Sequence, residues 1–325
     1  MKYFGVPSNT GRTAIRLSCA FVLIAATKPV GAQATPDARQ SRDDAWWTGP
    51  MMANSAGTLP RGHVLVEPYF YRVSSPHSTT IGSSAYVLYG LTDRFTAGFI
   101  PVVGSSRVDG SAQRSAMGVG DFTGLVQYGL TQYHEGSWMP AIGIGAQQSF
   151  PTGKYDQLGD KPSDGRGSGA YTTTLTLNTQ TYFWMPNGRI LRMRANAWQT
   201  FSSGANVQDA SVYGTAPGFR GRALPGSSIN GDVAWEYSLT RNWVLALDLL
   251  GASTRSTRVT GSNIQDPTGT QHQTESGSSR MFGFAPAIEY NWTPNVGVLF
   301  GTRVITANAT TSASITPAIA INFVH

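Results

Sequence analysis

Cysteine is almost missing from this sequence: of 325 residues only Cys19 carries a thiol. Without further cysteines, disulfide frameworks, thiolate metal sites and cysteine nucleophiles downstream of it are excluded. Charge is also scarce, with Asp, Glu, Lys and Arg making up 13% of the chain, well below the share usual for soluble domains. After the first thirty or so residues no apolar run approaches the length of a membrane-spanning helix. Any membrane insertion must therefore use strands. Catalytic spacings are missing as well. His63, His77, His134, His272 and His325 do not form an H-x-x-x-H pair, and no G-x-S-x-G elbow occurs. The readings expected from this are no enzyme, no cofactor and no metal site. Asp156, Asp160 and Asp164 share one glycine-rich stretch, but their spacing is not that of a calcium loop, and a solvated acidic loop is expected.

What is present begins with a leader. Lys2, Arg12 and Arg16 precede the apolar run Leu17 to Ala26, and small residues follow at Val30-Gly31-Ala32 and Ala32-Gln33-Ala34. This is the anatomy of a secretory signal peptide over 1–32, cleaved at about 32/33 or 34/35. Arg16, three residues before Cys19, argues against a lipoprotein. Lys2, Arg12, Arg16 and Lys28 carry four of the six net positive charges, and no Asp or Glu precedes Ala34, so the mature chain is left at +2. Nothing in that balance favours a nucleic-acid partner.

The remaining chain alternates. Ile229-Asn230-Gly231-Asp232-Val233-Ala234-Trp235-Glu236-Tyr237 sets large apolar residues against small or polar ones, as do Leu191 to Ala197, Phe282 to Trp292 and Tyr171 to Phe183. A strand sends these two sets to opposite faces. Twelve strands are predicted, at roughly 63–73, 83–90, 94–103, 120–130, 138–149, 169–183, 189–200, 228–238, 242–253, 279–292, 296–304 and 313–323. Short connections follow Gly90, Leu130, Trp184, Leu239 and Trp292. Long ones are expected near 74–82, 104–118, 150–168, 202–227, 254–279 and 305–312, alternating strictly with the short ones. That is the pattern of an all-β, antiparallel up-and-down transmembrane barrel with short periplasmic turns and long outer loops. An even strand number puts both ends on the periplasmic side. Tyr89, Tyr128, Tyr237 and Tyr290 each precede a short turn, as an interfacial aromatic girdle requires.

Charges inside such strands belong in the lumen, because Arg or Lys on the lipid face costs ~2–4 kcal/mol near the midplane. Alternation sends Glu67, Arg192, Arg194, Asp232, Glu236, Asp248, Glu289 and Arg303 inward. Two readings stand side by side: a paired network that stiffens a narrow barrel, or a lining that selects solutes. Arg192 and Arg194 are expected to meet Asp232 and Glu236 across adjacent strands. Residues 33–62, with Trp46 and Trp47, form either a periplasmic segment or a plug, and 63–325 form the barrel.

Gly118-Val119-Gly120-Asp121-Phe122 followed by Phe150-Pro151-Thr152-Gly153-Lys154 resembles the MetA-pathway of phenol degradation family of outer-membrane proteins, over roughly residues 60–325. The resemblance implies a bacterial outer-membrane location and passage of small, apolar or aromatic solutes. The closing Ile319, Ile321 and Phe323, alternating with Ala318, Ala320 and Asn322, resembles the signal read by the barrel-assembly machinery, so that machinery, outer-membrane lipid and a small-molecule solute are the expected partners. A structural barrel without transport and a lipid-acting membrane enzyme are the alternatives.

Overall fold

The computed structural model describes residues 39–109, 114–264 and 270–325. The signal-peptide reading lies outside the described residues. Along the chain come β1 (Val64–Ser75), β2 (Ser78–Thr92), β3 (Phe95–Ile100), β4 (Val102–Val108), β5 (Gly118–Val119), β6 (Phe122–Thr131), β7 (Ala141–Phe150), β8 (Thr172–Trp184) and β9 (Ile190–Ser202). They continue as β10 (Ala205–Gln208), β11 (Phe219–Leu224), β12 (Ser228–Ser238), β13 (Trp243–Thr254), β14 (Arg258–Asn263), β15 (His272–Glu275), β16 (Ser279–Thr293), β17 (Val296–Ile305) and β18 (Ser314–Val324).

Fourteen of these strands form one antiparallel sheet, and β1 pairs with both β2 and β18, so the sheet closes. Strands β3 and β4 are one stave. Both pair with β2, and the stave is interrupted at Pro101, which has no N–H for the ladder. Strands β5 and β6 likewise make one stave, broken at Gly120-Asp121. The result is a closed barrel of twelve staves, with no open edge in the wall.

The two faces of the wall differ as the alternation requires. Phe70, Phe99, Ile144, Leu175, Leu177, Leu245, Leu247, Phe300 and Ile321 stand exposed on the outside. Gln180, Arg192, Arg194, Asn196, Glu236, Asp248, Glu289 and Asn322 are buried within. At the end with the tight turns, the Trp243 and Tyr290 ring centroids lie 4.6 Å apart, and those of Tyr290 and Trp292 lie 5.3 Å apart. At the opposite end Phe99, Phe122, Phe150 and Tyr171 run as a chain of rings with neighbouring centroids 5.7, 6.4 and 6.1 Å apart. Rings at both rims of an apolar belt match the two interfaces of a bilayer.

The connections correct one expectation. The stretch 74–82 is no long loop, because β1 and β2 run to Ser75 and from Ser78, leaving a two-residue turn. Strict alternation of short and long connections therefore fails at the first hairpin. Its serines and threonines read as loop, yet they pair as strand. Ser75 and Ser78 hydroxyls lie 2.8 Å apart, and Thr80 meets Ser106 at 2.9 Å. Hydroxyl pairs across strands do here what apolar pairs do elsewhere.

Two long loops are themselves folded. Strands β10, β11, β14 and β15 form a separate four-stranded sheet, with Val207, Ala223 and Val259 buried against Tyr213 and Phe219. The space beside Gly261 is taken by the Phe219 ring, 2.6 Å from where a Cβ would stand. Burial pushes the Tyr213 hydroxyl up to about 12, and the nearby Asp121 carboxylate adds to the shift. It therefore stays protonated and donates to the Ser168 carbonyl.

Candidate functional site

Inside the barrel runs the chain that precedes β1. An irregular backbone cannot satisfy its own amide groups, and burial without partners is costly. The inward carboxylates supply the acceptors. Asp248 Oδ2 accepts from Met51 N at 3.1 Å, and Oδ1 accepts from Met52 N and Ala53 N at 3.2 and 3.0 Å. Glu289 Oε2 accepts from Thr48 N and Gly49 N at 2.7 and 3.1 Å. Donors on the wall take the carbonyls: Arg194 Nη1 reaches Ala53 O at 2.8 Å and Asn196 Nδ2 reaches Asn54 O at 3.0 Å. Gln127 Nε2 holds Ser55 O and Gly57 O at 3.1 and 2.9 Å. Gly49 adopts φ +125°, with the Arg194 guanidinium 3.5 Å from the place a Cβ would occupy. A side chain there would strain the backbone and meet the arginine. Met51 packs on Ala285, Leu299 and Ala320 from the wall.

Beneath this segment lies an ion-pair cluster. Arg192 and Glu236 are cross-strand partners, and the arginine grips both carboxylate oxygens, with Nε to Oε2 at 2.6 Å. Arg194 Nε stands 3.1 Å from the same Oε2, an ion pair whose geometry falls short of a hydrogen bond. Trp47 covers the Arg192 guanidinium at 4.4 Å. Glu236 and Glu289 are fully buried.

Asp232 departs from expectation. It was expected to meet the arginines of β9, but the register puts it opposite Asn196, while Glu236 faces Arg192. Both Asp232 oxygens, and Asn196 Oδ1, lack hydrogen-bond partners among the described residues. One side of a strand pair repeats every two residues, so a register set by Glu236 and Arg192 leaves Asp232 two residues beyond the partner of Arg194 and four beyond that of Arg192.

Of the eight predicted inward residues, Arg192, Arg194, Asp232, Glu236, Asp248 and Glu289 are buried, and Glu67 and Arg303 border a cavity. The structure gathers Arg192, Arg194 and Glu236 in one cluster and gives Asp248 and Glu289 to the inserted backbone. Glu67 accepts from Tyr69 Oη at 3.4 Å. Arg303 stands apart beside a cavity. Sequence reasoning set Asn178 and Asn322 on the face opposite the apolar residues but did not single out Tyr69, Tyr71, Tyr86 and Gln127. Tyr69 and Tyr71 share the parity of Glu67, and that parity was the available signal. The Asp156 carboxylate caps Gln208 N at 3.0 Å, and Asp164 lies 3.6 Å from Arg166.

Three cavities follow the inserted segment. The largest, about 550 Å³, lies between residues 48–55 and a wall of Glu67, Tyr69, Tyr71, Tyr86 and Arg303. A second, about 240 Å³, shares Asn54, Ser55, Leu65, Tyr86 and Leu88 with the first. A third, about 420 Å³, shares Gly57 and Thr58 with the second and reaches Arg94 and His134 at the tight-turn end.

The sequence motifs meet at the other end. Asp121 Oδ1 accepts from Gly153 N at 3.0 Å, and Oδ2 accepts from Ser168 N at 2.8 Å. Thr152 Oγ1 donates to Gly120 O at 2.8 Å and accepts from Phe122 N at 3.0 Å. The paired motifs thus clamp the loop after β7 onto the start of β6.

No family model matches the chain, and no curated protein matches it. Among solved structures, an outer-membrane channel from Pseudomonas putida F1 superposes with a TM-score of 0.64 at 15% identity, over 85% of this chain and 100% of that one. The NanC porin (TM-score 0.45, 11% identity, 79% and 98% covered) and the translocator domain of the autotransporter NalP from Neisseria meningitidis (0.43, 11%, 80% and 87%) are more distant. Identity this low establishes a shared barrel architecture and assigns no solute.

Proposed function

We propose that this chain is a channel of the bacterial outer membrane that passes small, apolar or aromatic compounds through the barrel, after export by a signal peptide removed near residue 32. The observation that carries the reading is the series of three cavities along one side of the inserted segment, each sharing wall residues with the next. Tyrosines and aliphatic side chains line the largest of them, as suits aromatic solutes. The exposed apolar belt suits a lipid surround. The motif resemblance to the MetA-pathway of phenol degradation family points to the same solutes.

Interior packing supports a second reading, a structural barrel without transport, because the Arg192–Glu236–Arg194 cluster and the inserted segment occupy part of the interior. Refolded protein in planar bilayers separates the two. The channel reading expects single-channel steps and benzyl alcohol flux into liposomes above that of empty vesicles. Sealed bilayers with no added flux would overturn it.

A further inference from the structure

Arg303 on β17 and Thr316 on β18 are direct cross-strand partners, and both line the 550 Å³ cavity. Thr316 is 5% exposed, and its Oγ1 is buried without a hydrogen-bond partner; the Arg303 Nε is in the same state. Among the described residues no carboxylate pairs with Arg303, whereas Arg192 and Arg194 are both met by Glu236. A buried guanidinium N–H and a buried hydroxyl, side by side and unmatched, are expensive to maintain. Both side chains border the cavity, with these two donor atoms set just beneath its surface.

The wall below this pair sets tyrosines over small residues, with the Tyr71 ring end lying over Gly82. Tyr71 lies between Ala318 and Gly82, and Tyr69 between Ala320 and Ser84, so each tyrosine is flanked by small residues. The Tyr69 and Tyr86 rings meet edge-on with centroids 6.2 Å apart. Leu65 and Leu88 complete the apolar part. One end of the cavity thus carries the Arg303 guanidinium beside Thr316, and the rest offers tyrosine and aliphatic surface together with Glu67, Arg194 and Asn322.

We propose that this cavity binds an aromatic monocarboxylate, with its carboxylate on Arg303 and Thr316 and its ring among Tyr69, Tyr71 and Tyr86. The proposal rests on the channel reading above and narrows its solute class. A planar carboxylate matches the guanidinium fork, and a turn of the Thr316 side chain brings its hydroxyl to one of the carboxylate oxygens.

The test uses refolded protein in detergent, with calorimetric titration of benzoate, benzyl alcohol and hexanoate. Benzoate should bind about tenfold or more tightly than benzyl alcohol, as a charge-assisted contact predicts. Arg303→Gln should abolish that preference. Arg303→Lys should keep part of it, and Thr316→Val should lose a smaller part. Equal binding of benzoate and benzyl alcohol by the wild type, or an undiminished preference in Arg303→Gln, would overturn the proposal. Hexanoate binding as tightly as benzoate would overturn its aromatic half. If Arg303→Gln does not refold, as judged by heat-modifiable gel mobility, Arg303→Lys and Thr316→Val decide. Benzyl alcohol flux into liposomes runs in parallel. Its loss in the wild type refutes the channel and leaves the binding result standing.

Discussion

Arg192 and Glu236 face each other across β9 and β12, and Arg194 approaches the same carboxylate from two residues along the strand. Glu236 therefore serves two buried cations. Glu236→Ala strands both, and removing one member of a buried pair costs ~3–5 kcal/mol. The urea midpoint of refolding in detergent micelles should fall accordingly. Arg192→Ala should cost less than Glu236→Ala, since Arg194 still meets the carboxylate. Equal midpoints for wild type and Glu236→Ala would remove the cluster from the account of stability.

The wall was legible because its two faces obey a simple rule, apolar outside and polar within. Leu175, Leu177, Leu245 and Leu247 mark the outward parity, and Arg192, Arg194 and Glu236 mark the inward one, with no help from distant residues. The interior was less legible. Asp248 and Glu289 read as lining, but they bind the backbone of residues 48–53, and a backbone contact leaves no trace in side-chain pattern. Tyr69 and Tyr71 hid because their strand carries large apolar or aromatic residues on both faces. The hydroxyl-rich first hairpin misled because Ser and Thr serve equally in turns and in polar strand faces.

Asp248 holds three consecutive amides of the inserted segment. At ~0.5–1.5 kcal/mol for each hydrogen bond, Asp248→Ala should loosen the segment by a few kcal/mol. Single-channel conductance should rise above wild type, with more open-state noise. Asp248→Asn keeps one acceptor oxygen and should fall between the two. A conductance unchanged in Asp248→Ala would mean that the segment does not limit ion flow.

Sidedness can be read by chemistry. Cysteines introduced at Ala216 and Ser278, exposed on the long loops, should react with an impermeant maleimide on intact cells. A cysteine at Asn187, exposed in a tight turn, should react only after the outer membrane is permeabilised. The reverse pattern would invert the topology.

Asp121 joins the start of β6 to Gly153 and Ser168. Asp121→Ala removes acceptors from three donors in the loop between β7 and β8. Limited proteolysis of cells should then cut within 151–171 several times faster than in wild type, while the barrel keeps its gel mobility. Unchanged cleavage would show that the loop is held by its other contacts.

The outer four-stranded sheet ties two stretches of sequence into one object. Strand β11 comes from one loop and β14 from the next, and six residue pairs zip them together. An epitope grafted into either loop alone leaves the other with an unsatisfied strand edge, open to pairing with a foreign chain. For surface display the two loops form a single cassette, to be exchanged together or left alone. An antibody raised against this face will recognise a composite of both, which linear peptides from either one cannot reproduce.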